Sequence, residues 1–472
     1  MSKFPLEGIR VVELTTGAAG PTVARVLCEF GAEVIRCETR LRGDGHRGED
    51  PAKWNKNPDF MKLQRGKKSF TVNMQTEKGR NLVKRLVKQS DVLVENYGLG
   101  ILEKWGLDYP QLKELNPACI LIRVKGMGCT GPHAADLTYG PNVGNTMGTT
   151  YLWNYPAAST ATAEPRTQHP DFMGGVTGAF GVVLALIQRK KTGRGQWIDS
   201  AQVEIGASLL GPKYLDYSVN QREPQPEGNR SLIAAPYGPY HCRGDDRWCV
   251  IAVYTQDEWE RFSGLLEKSG LKRNEKFATH LERVRHKEEL DKWVTAWTLQ
   301  HDPYDVMNLV QGVGVCAAVV QDVEDQFKRD VQYAATGFLV KMKEPEAGDV
   351  VTENVPIRLS ETPGKVRGLA PLMGEHTHEI ARELLGLSDE EQAFIDLKLA
   401  LADNLRQRRT ERGLTQADLA QLLTSSQSRV AKMEAGDRSV SLDLLVRSLL
   451  AIGATRRDLA RIIAAPRRGK AA

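Results

Sequence analysis

The chain has 472 residues, of which 41% are hydrophobic and 26% charged, and a net charge of +5. This is the balance of a water-soluble globular protein with room for two or three domains. No run of 18 apolar residues reads as a membrane span and MSKFPLEGIR lacks the apolar centre of a secretory signal, so the expected location is the cytoplasm.

The first 130 residues alternate between strand and helix signals. GIRVVEL reads as a strand, TTGAAGP as a glycine loop, PTVARVLCEFG as a helix and AEVIRCE as the next strand. SFTVNM, the helical EKGRNLVKRLVKQ, DVLVENY and CILIRVKG continue the pattern. Alternation of this kind predicts an α/β domain around a parallel sheet of Rossmann type. GAAG is too loose for a dinucleotide fingerprint, because no G-x-G-x-x-G is present, but a glycine turn before a helix still offers free N–H groups to a phosphate.

HPDFMGGVTGAFGVVLALIQRKKTGRGQWIDS follows, a carboxylate ahead of a glycine-laced apolar helix, a basic turn and a strand. Val176, Phe180, Val183, Leu184 and Ile187 fall on one helical face, which we expect to be buried. Gly174, Gly175, Gly178 and Gly181 each cost about 1 kcal/mol against Ala, which makes sense where backbone or ligand approaches closely. Asp171 at the helix mouth reads either as an N-terminal cap or as a nucleophile.

The seven cysteines (28, 37, 119, 129, 242, 249 and 316) include no CxxC pair and read as buried free thiols. His376 and His378 in GEHTHE lack further ligands, so no metal site is expected.

PLEGIRVVEL, AAGP, GAEVIRCE, DVLVENY, LNPACILIRVKG, TGRGQ and PLMGEHT, in this order over residues 5–395, resemble the class III CoA-transferases. The resemblance implies a large α/β domain over 1–204, a smaller α+β domain over 205–330, a return segment over 331–398 and an intertwined homodimer. It implies that Asp171 is the nucleophile. It places CoA against Ala18, Ala19 and Pro21 after the first strand, against Arg40 and Arg42, Lys67 or Lys68, Asn96 with Tyr97, Lys104 and Lys125. Cationic side chains suit the phosphates of CoA.

The implied chemistry divides one difficult exchange into easier steps on an enzyme carboxylate, through a mixed anhydride and an aspartyl-CoA thioester. It requires no metal, nicotinamide or flavin. Backbone N–H groups at Gly174 and Gly175 are expected oxyanion donors, and Tyr139, Tyr151, Trp153 and Tyr155 expected walls of an acyl pocket. The resemblance leans toward the arylsuccinate branch. Departures concern the substrate: Ala18 stands where some members have glutamine, and Thr39 where formyl-CoA transferase has arginine. Racemases of the same fold use an adjacent His-Asp pair, whereas HAADLTYGP separates His133 from Asp136.

Residues 399–472 carry 14 Lys+Arg against 7 Asp+Glu, so the basic character belongs to this tail. Thr415 caps TQADLAQLL and Ser426 caps QSRVAKME, with LDLLVRSLLAIG and DLARIIAAP following. The spacing resembles the Cro/cI-type helix-turn-helix domains, except that Thr424 stands in the turn where relatives often have glycine. The resemblance places the third helix in the major groove. Gln427, Ser428 and Lys432 then face base edges, while Gln416 and Arg429 meet phosphates. A helical module for protein contact is the alternative. The combination allows two functions, a CoA-transferase or an acyl-CoA-sensing regulator.

Overall fold

The computed structural model describes residues 4–40, 44–48, 50, 53–156, 169–231, 233–272, 274–344, 348–434, 436–437 and 439–464. Arg42 lies outside them. Six parallel strands form the main sheet: β1 (Arg10–Leu14), β2 (Glu33–Glu38), β3 (Lys68–Thr71), β4 (Val92–Glu95), β5 (Ile120–Lys125) and β6 (Trp197–Ala201). Their order is β3-β2-β1-β4-β5-β6. The inner strands β1, β2, β4 and β5 are buried on both faces, so their apolar residues alternate between two cores, while the edge strand β6 exposes Trp197. Val12, Leu14, Ile35, Leu93 and Leu121 enter one core with α2 (Glu77–Lys88). Val11, Val34, Val92, Val94 and Ile122 enter the other, with α1 (Ala19–Glu29) and α3 (His169–Thr192).

The direction of winding reverses between β1 and β4, and in an open α/β sheet a ligand crevice lies at the carboxyl ends of the strands at that point. Thr15 to Ala19 follow β1 and Asn96–Tyr97 follow β4, so both segments sit at this switch point.

The helix α3 corrects one expectation. Its buried residues are Gly174, Gly175, Gly178, Ala179, Val182 and Ala185, while Val176, Phe180, Leu184 and Ile187 are exposed. The glycines explain this choice. A Cβ on Gly175 would stand 2.4 Å from Cβ of Thr22 and 2.9 Å from the Ala19 carbonyl, and one on Gly178 would stand 3.0 Å from Val23. Backbone therefore lies directly against α1, and the bulky stripe faces outward. By length and composition alone α3 could cross a membrane, but its glycine face packs in the core of the sheet domain.

The chain divides into two compact units: residues 1–143, 168–206 and 341–472 form one, and residues 144–167 with 207–340 the other. The second unit holds an antiparallel sheet of β7 (Tyr237–His241), β8 (Trp248–Ala252) and β9 (Cys316–Val319) in that order. Trp259, Phe262, Phe277 and Trp297 fill its core. Its helix α4 (Gly211–Asn220) buries no residue and exposes Tyr214, Leu215, Tyr217 and Val219.

The basic tail is a helical bundle of α5 (Asp389–Glu411), α6 (Gln416–Leu422), α7 (Gln427–Glu434), α8 (Leu442–Ala451) and α9 (Arg456–Ala464). The boundary expected at 399 falls inside α5. Leu401, Leu405, Leu419, Val430, Met433, Leu445 and Leu449 make its core. Thr415 and Asp418 form a capping box at the start of α6.

Thr424 adopts φ +50°, the left-handed region, which a β-branched residue enters at a cost of roughly 1–2 kcal/mol. This is the physical reason a glycine suits the turn. Thr424→Gly relieves that strain but loosens the unfolded chain. We expect a net gain of about 0.5–1 kcal/mol in the tail, read as a higher melting temperature of the tail transition. An unchanged or lower value would remove the strain argument.

Candidate active site

A buried ionic network underlies the carboxyl ends of β1 and β2. Arg36 donates to Glu13 at 2.7 Å and to Asp44 at 2.7 Å, and Arg47 grips Glu38 through two bonds of 2.9 and 2.7 Å. Lys67 is wholly buried in the same network. Its ammonium donates to Gln64 Oε1 (2.7 Å) and the Pro21 carbonyl (3.0 Å) and lies 2.8 Å from Glu13. Burial lowers its pKa to about 8, against the pull of Glu13. Lys67 therefore holds the loop after β1 and presents no charge to a phosphate, which corrects its expected role. Lys68 is engaged by Glu33 and Glu379.

Asn96 grips the backbone of Thr16 from both ends: Oδ1 accepts from the Thr16 N–H at 2.9 Å, and Nδ2 donates to its carbonyl at 2.7 Å. Its amide shapes the loop rather than meeting a ligand. Gly20 permits that packing, since a Cβ there would stand 2.6 Å from Thr15 and 3.0 Å from Asn96. Ala18 and Ala19 are buried at the first turn of α1, where Ala18 is the cap residue without a side-chain cap. Tyr97 packs edge-on against Trp105 with ring centroids 5.4 Å apart. Lys125 is buried and paired with Glu95 at 2.9 Å, which Arg123 also contacts at 2.6 Å. Lys104 is exposed in the last turn of a short helix, Ile101–Trp105. Arg40, after β2, reaches Asp403 of α5 at 3.4 Å, and its buried Nε has no hydrogen-bond partner. Arg40 and Lys104 are thus the expected phosphate ligands that keep cationic surface.

Asp171 lies in the first turn of α3, half-buried. Its Oδ1 accepts from Gln202 Nε2 at 3.0 Å. Burial raises its pKa above the ordinary carboxylate value, and the Gln202 bond and, to a lesser degree, the nearby His46 ring oppose that rise. Among the described residues, no Lys or Arg forms a salt bridge with Asp171. Gln202 is 4% exposed and opens the helix that follows β6, Gln202–Ser208. A Cβ on Gly174 would stand 2.8 Å from its Cγ, so that glycine makes room for it. Sequence reasoning missed Gln202, although a lone amide at the strand-to-helix junction IDSAQVE was the available signal.

Two further expectations change. Gly174 and Gly175 lie beyond the first turn of α3, where N–H groups already bond to the carbonyl four residues back. They serve close packing and are not oxyanion donors. Tyr139 and Trp153 belong to separate units and are 77% and 63% exposed, so neither is an enclosed pocket wall in its own unit. His133 and Asp136 are hydrogen-bonded at 2.9 Å but lie in solvent.

In the tail, Gln427, Ser428, Arg429 and Lys432 are exposed on α7, while Val430 and Met433 face the core. Gln416 instead donates to Glu434 at 2.8 Å, and Arg409 also binds that carboxylate. Its amide is engaged inside the bundle and does not stand free for a phosphate. His376 Nδ1 accepts from the Ser69 N–H and His378 meets Asp396, so the two histidines do not converge. Among the described residues no cluster of His, Cys, Asp or Glu is placed to hold a metal.

A doubly wound sheet with a half-buried carboxylate on a glycine-faced helix beside its switch point defines an α/β enzyme, and comparison with known proteins gives the class. The profile of CoA-transferase family III matches residues 6–377, and a helix-turn-helix profile matches residues 405–459. A succinyl-CoA–D-citramalate CoA-transferase of Chloroflexus aurantiacus is 32% identical over 404 residues, covering 84% of this chain and 97% of its own. A succinate–glutarate CoA-transferase of Agrobacterium fabrum is 30% identical over 390 residues, covering 81% and 96%. The crystal structure of a CAIB/BAIF family protein from Brucella suis superposes with a TM-score of 0.74 at 32% identity, covering 81% of this chain and all of that one. The chain belongs to CoA-transferase family III and is a CoA-transferase that carries a C-terminal helix-turn-helix domain.

Proposed function

We propose that the chain moves CoA from succinyl-CoA to a small dicarboxylic acid through covalent states of Asp171. The observation that carries this reading is the placement of Asp171, half-buried and oriented by an amide rather than neutralised by a cation. Relatives named for citramalate and glutarate favour a short dicarboxylate.

The Asp171 carboxylate attacks the thioester carbonyl of the donor, forming a mixed anhydride and releasing CoA thiolate. The thiolate attacks Cγ of Asp171, giving the aspartyl-CoA thioester and freeing the donor acid. The acceptor carboxylate then attacks Cγ, and the thiolate released attacks the acceptor carbonyl of the new anhydride. Acyl-CoA leaves and Asp171 is regenerated. CoA lies along the carboxyl edge of β1 and β4, with Arg40 and Lys104 toward its phosphates. The enzyme acts as a homodimer, a reading supported by the uncovered apolar stripe of α3 and the outer face of α4. Succinyl-CoA assayed against malate, citramalate, glutarate and an arylsuccinate tests the substrate class, and transfer to the arylsuccinate alone would overturn it. The racemase reading has weaker support, because its His133–Asp136 pair lies in solvent.

A second reading adds DNA binding by the tail, coupled to the acyl-CoA. One observation favours it: Asp396 and Asp403, seven residues apart on one face of α5, meet His378 and Arg40 of the sheet unit at 3.1 and 3.4 Å. A phosphate of CoA at Arg40 would displace the Asp403 carboxylate. In gel shifts of the full chain with its promoter DNA, added acyl-CoA changes the affinity. Arg429→Gln weakens binding across sequences and lowers the salt slope by about 1. No binding at low salt would end this reading.

A further inference from the structure

We propose that Gln202 is a catalytic residue whose Nε2–H stabilises the oxyanion that forms on Oδ1 of Asp171 each time Cγ is attacked. The proposal rests on the covalent reading of Asp171 given above. Attack by CoA thiolate on Cγ of the anhydride forms a C–S bond and moves the C=O pair onto the non-bridging aspartyl oxygen. Collapse of that tetrahedral species restores the C=O and expels the donor carboxylate. The acceptor carboxylate attacks the thioester at the same Cγ, so the same oxygen carries charge a second time. An oxygen already held by Gln202 before reaction is Oδ1, which leaves Oδ2 as the attacking atom and later the bridging one.

The geometry suits this task. An amide N–H at 3.0 Å from Oδ1 is within the range at which a preorganised donor acts on developing charge. Gln202 is preorganised by burial, by its position where β6 passes directly into a helix, and by the close approach of its Cγ to Gly174. It replaces the glycine amides, which the helix has already engaged. The same bond favours the ionised carboxylate in the resting enzyme, opposing the rise caused by burial.

Gln202→Met preserves length and apolar volume but removes the donor. Purified full-length enzyme carrying it is expected to lose about 10²–10³-fold in kcat, with KM for succinyl-CoA within twofold, since the lost interaction belongs to the transition state. The acidic limb of the pH–kcat profile moves to higher pH, because activity requires ionised Asp171 and the donor that favoured ionisation is gone. Gln202→Glu, of the same shape, keeps the fold readout independent of the Met side chain and moves the limb in the same direction. Hydroxylamine trapping of wild-type Asp171 with succinyl-CoA checks the parent reading separately: an untrapped Asp171 sinks that reading. A trapped Asp171 with Gln202→Met turnover within threefold of wild type, or with an unmoved acidic limb in both variants, overturns the role of Gln202 alone.

Discussion

Asp171→Asn is expected to abolish CoA transfer, lowering turnover on the order of 10⁴-fold or more, as removal of a covalent nucleophile does. The amide keeps the size of the carboxylate and an oxygen able to accept the Gln202 bond, so the fold survives and the loss reports chemistry. Its thermal stability should also change, and in a fixed direction. Burial raises the folded pKa of Asp171 above its unfolded value. A group so shifted supports the fold below the unfolded pKa, and that support is lost as pH rises through the folded pKa. At neutral pH the ionised carboxylate therefore opposes folding, and asparagine removes that opposition. The variant should melt higher than wild type at pH 7, with the difference shrinking as pH falls into the carboxylate range. A variant that is inactive but less stable at pH 7 would indicate that Asp171 is chiefly a structural cap. Full activity in the variant would sink the covalent mechanism outright. Stability surrendered at a reactive group is a recurring trade in enzymes.

The sheet was legible from the sequence because its inner strands are short, largely apolar runs bounded by turns, and parallel strands buried on both faces need little else. The tail was legible for a similar local reason: Thr415 and Ser426 accept bonds from backbone N–H groups three residues on. Asp171 was placed by its family context rather than by its own surroundings. Non-local packing was what remained hidden. The periodicity of α3 marks a bulky stripe, but the buried face is the one with glycines, because α1 approaches its backbone. Periodicity cannot tell which of two apolar faces meets the core. Lys67 looked like a free cation because its partner Glu13 lies 54 residues earlier and meets it only when β1 and β3 enter one sheet. Gln202 acquires meaning only once the turn after β6 lies against the mouth of α3.

Charge placed on the bulky stripe of α3 is expected to break the dimer. Phe180 and Leu184 stand one turn apart and are 62% and 49% exposed, with Val176 and Ile187 continuing the row. Covering such side chains contributes about 1.5–3 kcal/mol each. In a twofold dimer the same patch occurs on both subunits, so one substitution removes two contacts. Phe180→Asp with Leu184→Asp should therefore remove four such contacts and cost roughly 6–12 kcal/mol of association, which is at least about 10⁴-fold in the dimer constant. Both side chains face away from the α1 contact, so circular dichroism of the variant should match wild type. Light scattering should report the mass of one 52.4 kDa chain where wild type gives twice that. A monomeric wild type with full activity would remove the dimer from the mechanism. Membrane-associated wild type would instead assign the stripe to lipid. If the variant becomes monomeric and loses CoA transfer while Asp171 can still be trapped, the second subunit acts after the first covalent step.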